Sequence, residues 1–341
     1  MDKSFDYWEY FANEARRAGS PLYERLSRGV GGDEGLREFA NGTRQGQPPG
    51  NILFAAVHFL LLRGAQHPLR RHYRNLGGTS GEDPFPAFKD FVDTHRVELS
   101  PLIASRVTNT NEVARSALLA PAFRALAKES GEPLRLIELG PSAGLNLLWD
   151  RYGVRYTRGS EGFSIDVPEA ALTLECELRG AKLPPLGPSP KIASRVGLER
   201  NPVDLADADA RDWLRALVWP DQVARFAVLE KALANFPGEK PAIRAGDALS
   251  LLPEAMAEAP ADQPVCVYHT MVVYQFPDEM REALDAILIL ASLRRPVWRI
   301  GLEGTLSGDN PLKLYAYRDG SKEERTLGLC HPHGAWLEWL A

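Results

Sequence analysis

The sequence has few cysteines and no apolar run long enough to cross a membrane. Three cysteines, Cys176, Cys266 and Cys330, lie far apart in 341 residues, and an odd, widely spaced set argues against a disulfide framework. The longest apolar run, residues 52–62, contains His58 and is too short for a bilayer. The start, MDKSFDYWEYF, has neither the basic nor the apolar region of a signal peptide. These absences predict a soluble, cytoplasmic protein that does not engage a membrane.

A strong charge of one sign is also absent. The formal net charge is −5, so no overall basic field indicates a nucleic-acid partner. The most basic segment, residues 63–74, is interpreted as a solvated face rather than a site for phosphate or nucleic acid. The 44% apolar content is that of a globular protein with a substantial core.

The first third of the chain predicts helices. Apolar residues recur at helical spacing within residues 5–18, 51–63, 87–99 and 111–128. Asn109 and Glu112 have the spacing of a capping box at the start of the last of these helices. The loop at residues 77–86 is rich in turn residues and is either a lid or a connector. No strand pattern precedes Leu134, so residues 1–130 are predicted to be an all-helical region.

From Leu134 the pattern changes to strands that alternate with helices, which predicts an α/β domain with a mostly parallel sheet over residues 131–341. The predicted strands are residues 134–139, 194–200, 241–247, 264–270 and 296–303. The predicted helices are residues 207–217, 221–235, 249–257 and 277–290. Residues 312–317 and 326–339 predict a C-terminal antiparallel hairpin that turns at Asp319-Gly320.

The stretch LRLIELGPSAGLN has the composition of a ligand-binding turn. A short apolar strand is followed by Gly140, Ser142 and Gly144 and then by an apolar, helix-compatible run. A strand, a glycine turn and a helix N-terminus together bring backbone N–H groups and a helix dipole to a ligand. The spacing E-x-G-x-x-x-G, which begins at Glu138, is close to the dinucleotide fingerprint but lacks its third glycine. The alternative is an ordinary turn between a strand and a helix.

Polar residues also stand at the ends of the other predicted strands. Glu199, Asp247 and His269-Thr270 end three of them, and ligands of open α/β sheets bind beyond the carboxyl ends of the strands. A carboxylate after the second strand is typical of a receptor for ribose hydroxyls, which fits Glu199. Asp247, in a G-D-A sequence, suits the exocyclic amine of adenine. Each acid alone is more typical of a helix cap or a turn, and their agreement in order supports binding.

Several segments of the chain resemble the motifs of known families. The segments LIELGPSAG, VGLERNP and IRAGDAL resemble the first three motifs of class I S-adenosylmethionine-dependent methyltransferases. Nearly the whole chain, and especially ELGPSAGLNLLWDRY, ERNPVDL, WLRALVWPDQ and VYHT, resembles an uncharacterised bacterial family, domain of unknown function 2332. The resemblance implies a Rossmann-like class I methyltransferase sheet, with S-adenosylmethionine as the cofactor.

The resemblance also implies the residues that would hold this cofactor. They are Glu138, Gly140, Ser142 and Gly144 at its methionine part, Glu199 at the ribose hydroxyls, and Asp247 with Ala248 at the adenine. Glu199 follows Glu138 by about 60 residues, where about 20 is usual, so residues 151–191 are predicted to be an insertion with an extra strand at 171–177. Residues 302–312 leave no room for a helical crossover, which predicts a modified end of the sheet. The chain has no N/D-P-P-Y signature after the fourth strand, so methylation of a nucleobase or glutamine amine is not indicated.

His269 is the candidate general base, because it directly follows the fourth strand at the mouth of the crevice. Its alternative is a hydrogen-bonded histidine at a strand end. Tyr268 and Tyr274 either line the acceptor site or belong to the core. Helical additions often shape the substrate pockets of this fold, so the N-terminal region is expected to cover the cleft. The start of its last helix would then bring Asn111, Glu112 and Arg115 towards a small-molecule acceptor.

The segment Cys330-His331-x-His333 is interpreted as a strand with incidental histidines, and no metal site is predicted, because a fourth ligand and the usual paired spacing are absent. Three functions compete. The first is a methyltransferase that uses S-adenosylmethionine on a small molecule. The second is a non-catalytic protein that binds S-adenosylmethionine or a nucleotide as a sensor or partner module. The third is an NAD-dependent oxidoreductase, which the E-x-G-x-x-x-G spacing disfavours. The sequence does not predict the oligomeric state.

Overall fold

The computed structural model describes residues 6–131, 133–235, 241–304 and 310–341. The chain divides into two compact units. We call Met1–Thr110 with Val203–Glu230 the helical unit, and Asn111–Pro202 with Lys231–Ala341 the sheet unit. Residues 111–130 therefore group with the sheet, and residues 203–230, which lie between two strands in sequence, group with the helices.

In chain order the α-helices are α1 (Tyr7–Arg17), α2 (Pro21–Gly32), α3 (Glu34–Ala40), α4 (Pro49–Leu62), α5 (Phe85–Thr94), α6 (Arg96–Ser105), α7 (Ser116–Ser130), α8 (Ala208–Ala216), α9 (Val223–Ala234), α10 (Ala248–Ala257) and α11 (Asp278–Ser292). The strands are β1 (Leu134–Leu139), β2 (Tyr152–Arg158), β3 (Glu161–Ile165), β4 (Leu172–Arg179), β5 (Ile192–Glu199), β6 (Ala242–Ala245), β7 (Val265–Thr270), β8 (Val297–Leu302), β9 (Pro311–Arg318), β10 (Ser321–Cys330) and β11 (Trp336–Trp339).

The helical unit is built around α4, which is apolar on every side and almost entirely buried, as expected for a helix at the centre of a core. Phe54 on α4 contacts the rings of Tyr23 and Phe88 at centroid distances of 4.8 and 5.5 Å. His58 is buried in the same helix, with Nδ1 2.9 Å from the carbonyl oxygen of Ala216. Burial lowers the pKa of His58 to about 4, so its ring is neutral. His58 is thus a hydrogen-bonded core histidine, as the sequence predicts.

The sheet unit contains one sheet of eleven strands in the order β3-β2-β4-β11-β10-β9-β8-β7-β1-β5-β6. Strands β6, β5, β1, β7 and β8 are adjacent and parallel to one another. One face of these strands packs on α10 and α11 through Ile137, Val265, Leu252 and Leu284. On the opposite face, Phe123 of α7 contacts Tyr268 of β7 at a centroid distance of 5.1 Å. The prediction of a mixed α/β fold with a mostly parallel sheet is confirmed.

The predicted C-terminal hairpin is also confirmed. Strand β9 runs antiparallel to β8 and to β10, with the turn at Asp319 and Gly320, whose φ angles are 49° and 78°. The predicted strand at residues 326–339 is instead two strands, because Pro332 and Gly334, with φ of 76°, turn the chain between β10 and β11. Strand β9 lies next to β8 in the sheet and runs antiparallel to it. The end of the sheet is therefore modified, as the short segment at residues 302–312 predicts. The connecting residues 305–309 lie outside the described residues.

The predicted insertion at residues 151–191 forms strands. Strand β4 corresponds to the predicted extra strand at residues 171–177. Strands β2 and β3, which the sequence analysis missed, form an antiparallel pair. Strand β2 pairs with β4, and β4 pairs with β11, both in parallel. The insertion therefore extends the sheet beyond the C-terminal hairpin.

Several predicted helix boundaries are wrong. Helix α7 begins at Ser116 rather than at residue 111, after a 3-10 turn at Val113–Arg115, so Asn109 and Glu112 do not form its capping box. The helix predicted at residues 87–99 is two helices that meet at His95, where φ is −103° and ψ is 22°. The segment after Gly144 is a 3-10 helix. In the part of the chain that the structure describes, no strand precedes Leu134, and every helix is too short or too polar to cross a bilayer.

Candidate functional site

The carboxyl ends of the parallel strands form the candidate site. Numbered among themselves along the chain, the strands β6-β5-β1-β7-β8 have the order 3-2-1-4-5, so the order reverses between β1 and β7. Ligands of doubly wound sheets bind at such a switch point. The predicted residues Glu138, Glu199, Asp247 and His269 lie at or just after the ends of β1, β5, β6 and β7. We call this edge of the sheet the switch-point edge.

The glycine loop at residues 140–144 follows β1. Gly140, Ser142 and Gly144 have φ angles of +67°, 56° and +79°, in the left-handed region that favours glycine. A Cβ on Gly140 would lie 2.7 Å from Cγ2 of Val272, which is in the loop after β7. The N–H groups of Gly140 and Gly144 donate to the carbonyls of Leu198 and Pro141 at 2.9 and 2.8 Å. These glycines therefore permit tight packing between two strand-end loops.

Glu199 ties the glycine loop to the end of β5. Its Oε2 accepts the N–H of Ser142, and its Oε1 accepts the N–H of Asn201, each at 2.9 Å. The residue is buried. A carboxylate has about four acceptor positions, so one position on each oxygen is available to further donors.

Asp247 acts as a helix cap in this structure. Its Oδ1 accepts the N–H and the hydroxyl of Ser250, both at 3.0 Å, at the start of α10. Its Oδ2 lies 3.0 Å from Nη2 of Arg200. The N–H of Ser250 is the largest influence that lowers the pKa of Asp247, which is further lowered by the Ser250 hydroxyl and Arg200. Ala248 is the first residue of α10.

Glu138 is buried, and no cationic side chain among the described residues hydrogen-bonds to it. It is 1% exposed, and its Oε2 accepts the hydroxyl proton of Tyr268 at 3.0 Å. Burial raises the pKa of Glu138 to about 8, although the Tyr268 hydrogen bond and the charge of Arg115 act against this rise. Glu138 is therefore a group that exchanges a proton close to neutral pH. Tyr268 is fully buried beside it, whereas Tyr274 is exposed.

Asn111, Glu112 and Arg115, which were predicted to start the last helix of the N-terminal region, precede α7 and make contacts within the sheet unit. Oδ1 of Asn111 accepts the N–H of Leu145, which directly follows the glycine loop, at 3.0 Å. Nη1 of Arg115 lies 3.2 Å from the carbonyl oxygen of Thr270, at the end of β7. Oε2 of Glu112 lies 3.3 Å from Nδ1 of His333. Asn111 and Arg115 thus hold the backbone after β1 and at the end of β7.

His269 forms a dyad with Glu303, a residue that the sequence analysis did not identify as functional. Nδ1 of His269 lies 2.5 Å from Oε1 of Glu303, and Nε2 is buried with no hydrogen-bond partner among the described residues. Glu303 also accepts the N–H groups of Val272 at 3.2 Å and Tyr274 at 2.9 Å. Burial raises the pKa of Glu303, but the hydrogen bonds from His269 and the two backbone groups outweigh it, so its pKa is lowered. The sequence signal that could have identified Glu303 is its position as the last residue of the predicted strand at 296–303.

The two titratable pairs lie on opposite faces of the sheet. Successive residues of a strand point to opposite faces, and Tyr268 and His269 are consecutive in β7. Tyr268 pairs in register with Glu138, and His269 pairs with Leu139. A ligand that reached both pairs would therefore cross the switch-point edge between β1 and β7.

The interpretation of Cys330-His331-x-His333 as a strand is wrong for the two histidines, because β10 ends at Cys330 and both histidines lie in the turn that follows. Sγ of Cys330 lies 3.1 Å from the carbonyl oxygen of Asn310, and Nδ1 of His331 accepts the N–H of His333 at 3.2 Å. Among the residues that the structure describes, no three histidine, cysteine, aspartate or glutamate side chains converge as metal ligands would.

Comparison with known proteins identifies the family. The family model described as an uncharacterized protein conserved in bacteria (DUF2332) matches residues 6–339. The chain belongs to this family, which confirms its resemblance to domain of unknown function 2332. No curated protein matches the chain.

Proposed function

We propose that this member of the DUF2332 family binds S-adenosylmethionine at the switch-point edge and transfers its methyl group to a small-molecule acceptor. The observation that supports this most directly is the order of the acids. Glu138, Glu199 and Asp247 lie at or just after the carboxyl ends of the neighbouring strands β1, β5 and β6. This is the arrangement that the first three methyltransferase motifs imply for the methionine, ribose and adenine parts of the cofactor.

The remaining acceptor positions of Glu199 and Asp247 fit this cofactor. Glu199 has one available position on each oxygen, and a ribose diol offers two donors. Asp247 would take the adenine amine on Oδ2, where its present partner, Arg200, has a side chain that is 70% exposed and so is bound only weakly. The N–H groups of Gly140, Ser142 and Gly144 already have partners within the protein. The glycine loop therefore contributes shape to the site rather than backbone donors.

The cofactor, when bound, would supply a methyl group already activated for displacement. The chain must align an acceptor, exclude water and remove a proton where the nucleophile carries one. His269 performs the last task at Nε2, because Glu303 holds Nδ1 and stabilises the ring when it becomes positively charged. The lowered pKa of Glu303 keeps this carboxylate ionised. Asn111 and Arg115 position the backbone on either side of the switch point.

A second function, a non-catalytic module that binds S-adenosylmethionine or a nucleotide, is favoured by a specific observation. The Nε2 atom of His269 is buried, and a Cβ on the neighbouring Gly301 would lie 2.9 Å from Cε1 of the ring. An acceptor reaches this atom only if the surrounding loops move. Without such movement, the edge would bind a ligand and perform no chemistry.

Turnover distinguishes the two functions. The protein is incubated with S-adenosylmethionine and a deproteinised bacterial metabolite extract, and the formation of S-adenosylhomocysteine is followed. A methyltransferase forms it only when the extract is present, and His269→Asn abolishes that formation, whereas the exposed Glu175→Gln does not. Binding of S-adenosylmethionine without extract-dependent turnover would support the non-catalytic function. Binding of neither adenosyl compound would contradict both.

A further inference from the structure

We propose that the helical unit contains a second, separate binding pocket for a small organic anion that also carries hydroxyl groups. A cavity of about 310 Å³ lies entirely within this unit, at the lower end of the size range of ligand pockets. Its lining residues are Pro21, Leu22, Arg25, His72, Arg74, Gly78, Thr79, Ser80, Glu82, Pro84 and Asp221. They include parts of the basic segment at residues 63–74 and of the turn-rich loop at residues 77–86.

The loop is folded back onto the basic segment by short backbone contacts. The N–H of Gly78 donates to the carbonyl of Tyr73, and the N–H of Ser80 donates to the carbonyl of Arg71, both at 3.0 Å. A Cβ on Gly78 would lie 2.5 Å from the carbonyl oxygen of Arg71. Position 78 therefore requires glycine, because the loop backbone passes directly against the backbone of the basic segment.

Two arginines contact the end of the same loop. Nη1 of Arg25 lies 3.3 and 3.2 Å from the carbonyl oxygens of Gly81 and Glu82. Nη2 of Arg71 lies 2.7 Å from Oε2 of Glu82, in an exposed ion pair that contributes little to holding the loop. The loop is thus a connector held in place at several points, and the wall of the pocket is formed before a ligand arrives. A preformed wall reduces the entropy lost on binding.

The pocket still presents groups that have no partner. The exposed guanidinium of Arg74 makes no hydrogen bond or ion pair with any described residue, and neither does the hydroxyl of Thr79. Asp221 accepts the hydroxyl of Ser20 and the N–H of Leu22 on Oδ2, both at 2.9 Å, which leaves Oδ1 available. A guanidinium binds carboxylates and phosphates through paired hydrogen bonds, and a carboxylate oxygen accepts from hydroxyls. The pair Arg74 and Asp221 therefore suits an anion with hydroxyl groups.

The test is a calorimetric titration of the full chain, without any adenosyl compound, with glucose 6-phosphate, gluconate and glucose. These probes have similar carbon skeletons and differ in carrying a phosphate, a carboxylate or no charge. We expect saturable binding of at least one of the two anions and much weaker binding of glucose. Arg74→Gln should weaken that binding at least about tenfold, since it removes a charge-assisted contact. Arg44→Gln, a matched change at an exposed arginine of the same unit, should leave the affinity within about twofold.

Each outcome has a definite meaning. Binding of glucose 6-phosphate alone identifies a phosphate pocket, and binding of gluconate alone identifies a carboxylate pocket. The proposal is overturned if neither anion binds, if glucose binds as tightly as the anions, or if a folded Arg74→Gln variant binds like the wild type. Thermal unfolding of each variant establishes that it is folded. Because no adenosyl compound is present, failure here is distinct from failure of the switch-point site.

Discussion

Nδ1 of His269 lies 2.5 Å from the carboxylate of Glu303, while the Nε2 atom of the same ring is buried and has no hydrogen-bond partner among the described residues. A carboxylate that orients one ring nitrogen and leaves the other for a substrate proton is a recurring arrangement of general bases. It is also the arrangement expected of a histidine whose second partner arrives with the ligand. The proposed methyl transfer depends on this relationship.

Replacement of Glu303 tests the dyad. Glu303→Gln keeps one oxygen, which can accept the N–H of Val272 or of Tyr274 but not both, and it removes the charge that stabilises a protonated His269. We expect turnover to fall about 100-fold or more, in the range of general-base contributions, with little change in the affinity for S-adenosylmethionine. The measurement is steady-state kinetics beside calorimetric binding, with the exposed Glu282→Gln on α11 as the control. Equal losses of affinity and rate would indicate a structural role only.

Glu138 makes the stability of the fold depend on pH. Its pKa is about 8 when folded and about 4.5 ordinarily, so between these values the folded state holds a proton that the unfolded state releases. The free energy of unfolding therefore decreases as pH rises through this window. The contribution of Glu138 is at most about 5 kcal/mol.

The measurement for this prediction is urea unfolding at pH 5, 6.5 and 8. Glu138→Gln keeps an oxygen that can accept the Tyr268 hydrogen bond but carries no proton that titrates. The variant should lose less stability than the wild type between pH 5 and pH 8. Glu175→Gln, an exposed change in the same sheet, should follow the wild type. Parallel pH profiles for Glu138→Gln and the wild type would contradict the account of Glu138.

Because the glycine loop is tightly packed, a single methyl group added at Gly140 is expected to lower the free energy of unfolding. Gly140→Ala places a Cβ 2.7 Å from Cγ2 of Val272 at a φ of +67°, so we expect a loss of about 2–4 kcal/mol in the free energy of unfolding. In the double variant Gly140→Ala/Val272→Ala, the steric part should be relieved and the backbone part should persist. A double-mutant cycle in urea measures both parts. An additive cycle would show that the two loops do not meet at this point.

Replacement of Glu199 is expected to lower both the free energy of unfolding and the affinity for S-adenosylhomocysteine, and the two effects can be measured separately. Glu199→Gln leaves one good acceptor for the N–H groups of Ser142 and Asn201, so one buried donor loses its partner at a cost of about 1–3 kcal/mol. Binding of S-adenosylhomocysteine should weaken at least about tenfold. Asp247→Asn, whose cap to Ser250 is retained, should weaken binding with a smaller loss of stability. Urea unfolding and calorimetry on the same preparations separate the two effects.

The elements of the parallel sheet could be predicted because their signals are local. Strands β1, β7 and β8 are short, fully buried runs, and strand β1 agrees with its prediction in every residue. The shift from helices to alternating strands and helices at Leu134 likewise follows from periodicity alone. Strands β2 and β3 were missed because their segments carry neither a ligand motif nor a continuous apolar run.

The candidate site could be predicted only in part, for a physical reason. Strand-end residues such as Glu138, Glu199 and His269 can be located from the pattern, since the ends of parallel strands meet at one edge. Their hydrogen-bond partners depend on tertiary packing. The bond from Ser142 to Glu199, the His269–Glu303 dyad and the contact between Arg115 and Thr270 join residues that are far apart in sequence. The role of Asp247 as the cap of α10 could be predicted, because a helix cap was the alternative to cofactor binding that the sequence favours for a single acid.

The measurement that tests the proposed function most directly is a calorimetric titration of the wild-type protein with S-adenosylhomocysteine, repeated with NAD and with the Glu199→Gln variant. The proposal predicts saturable binding of one S-adenosylhomocysteine per chain, markedly weaker binding of NAD, and at least about tenfold weaker binding by Glu199→Gln. Absence of binding at saturating concentrations, or binding that Glu199→Gln leaves unchanged, would contradict a cofactor site at the ends of β1, β5 and β6.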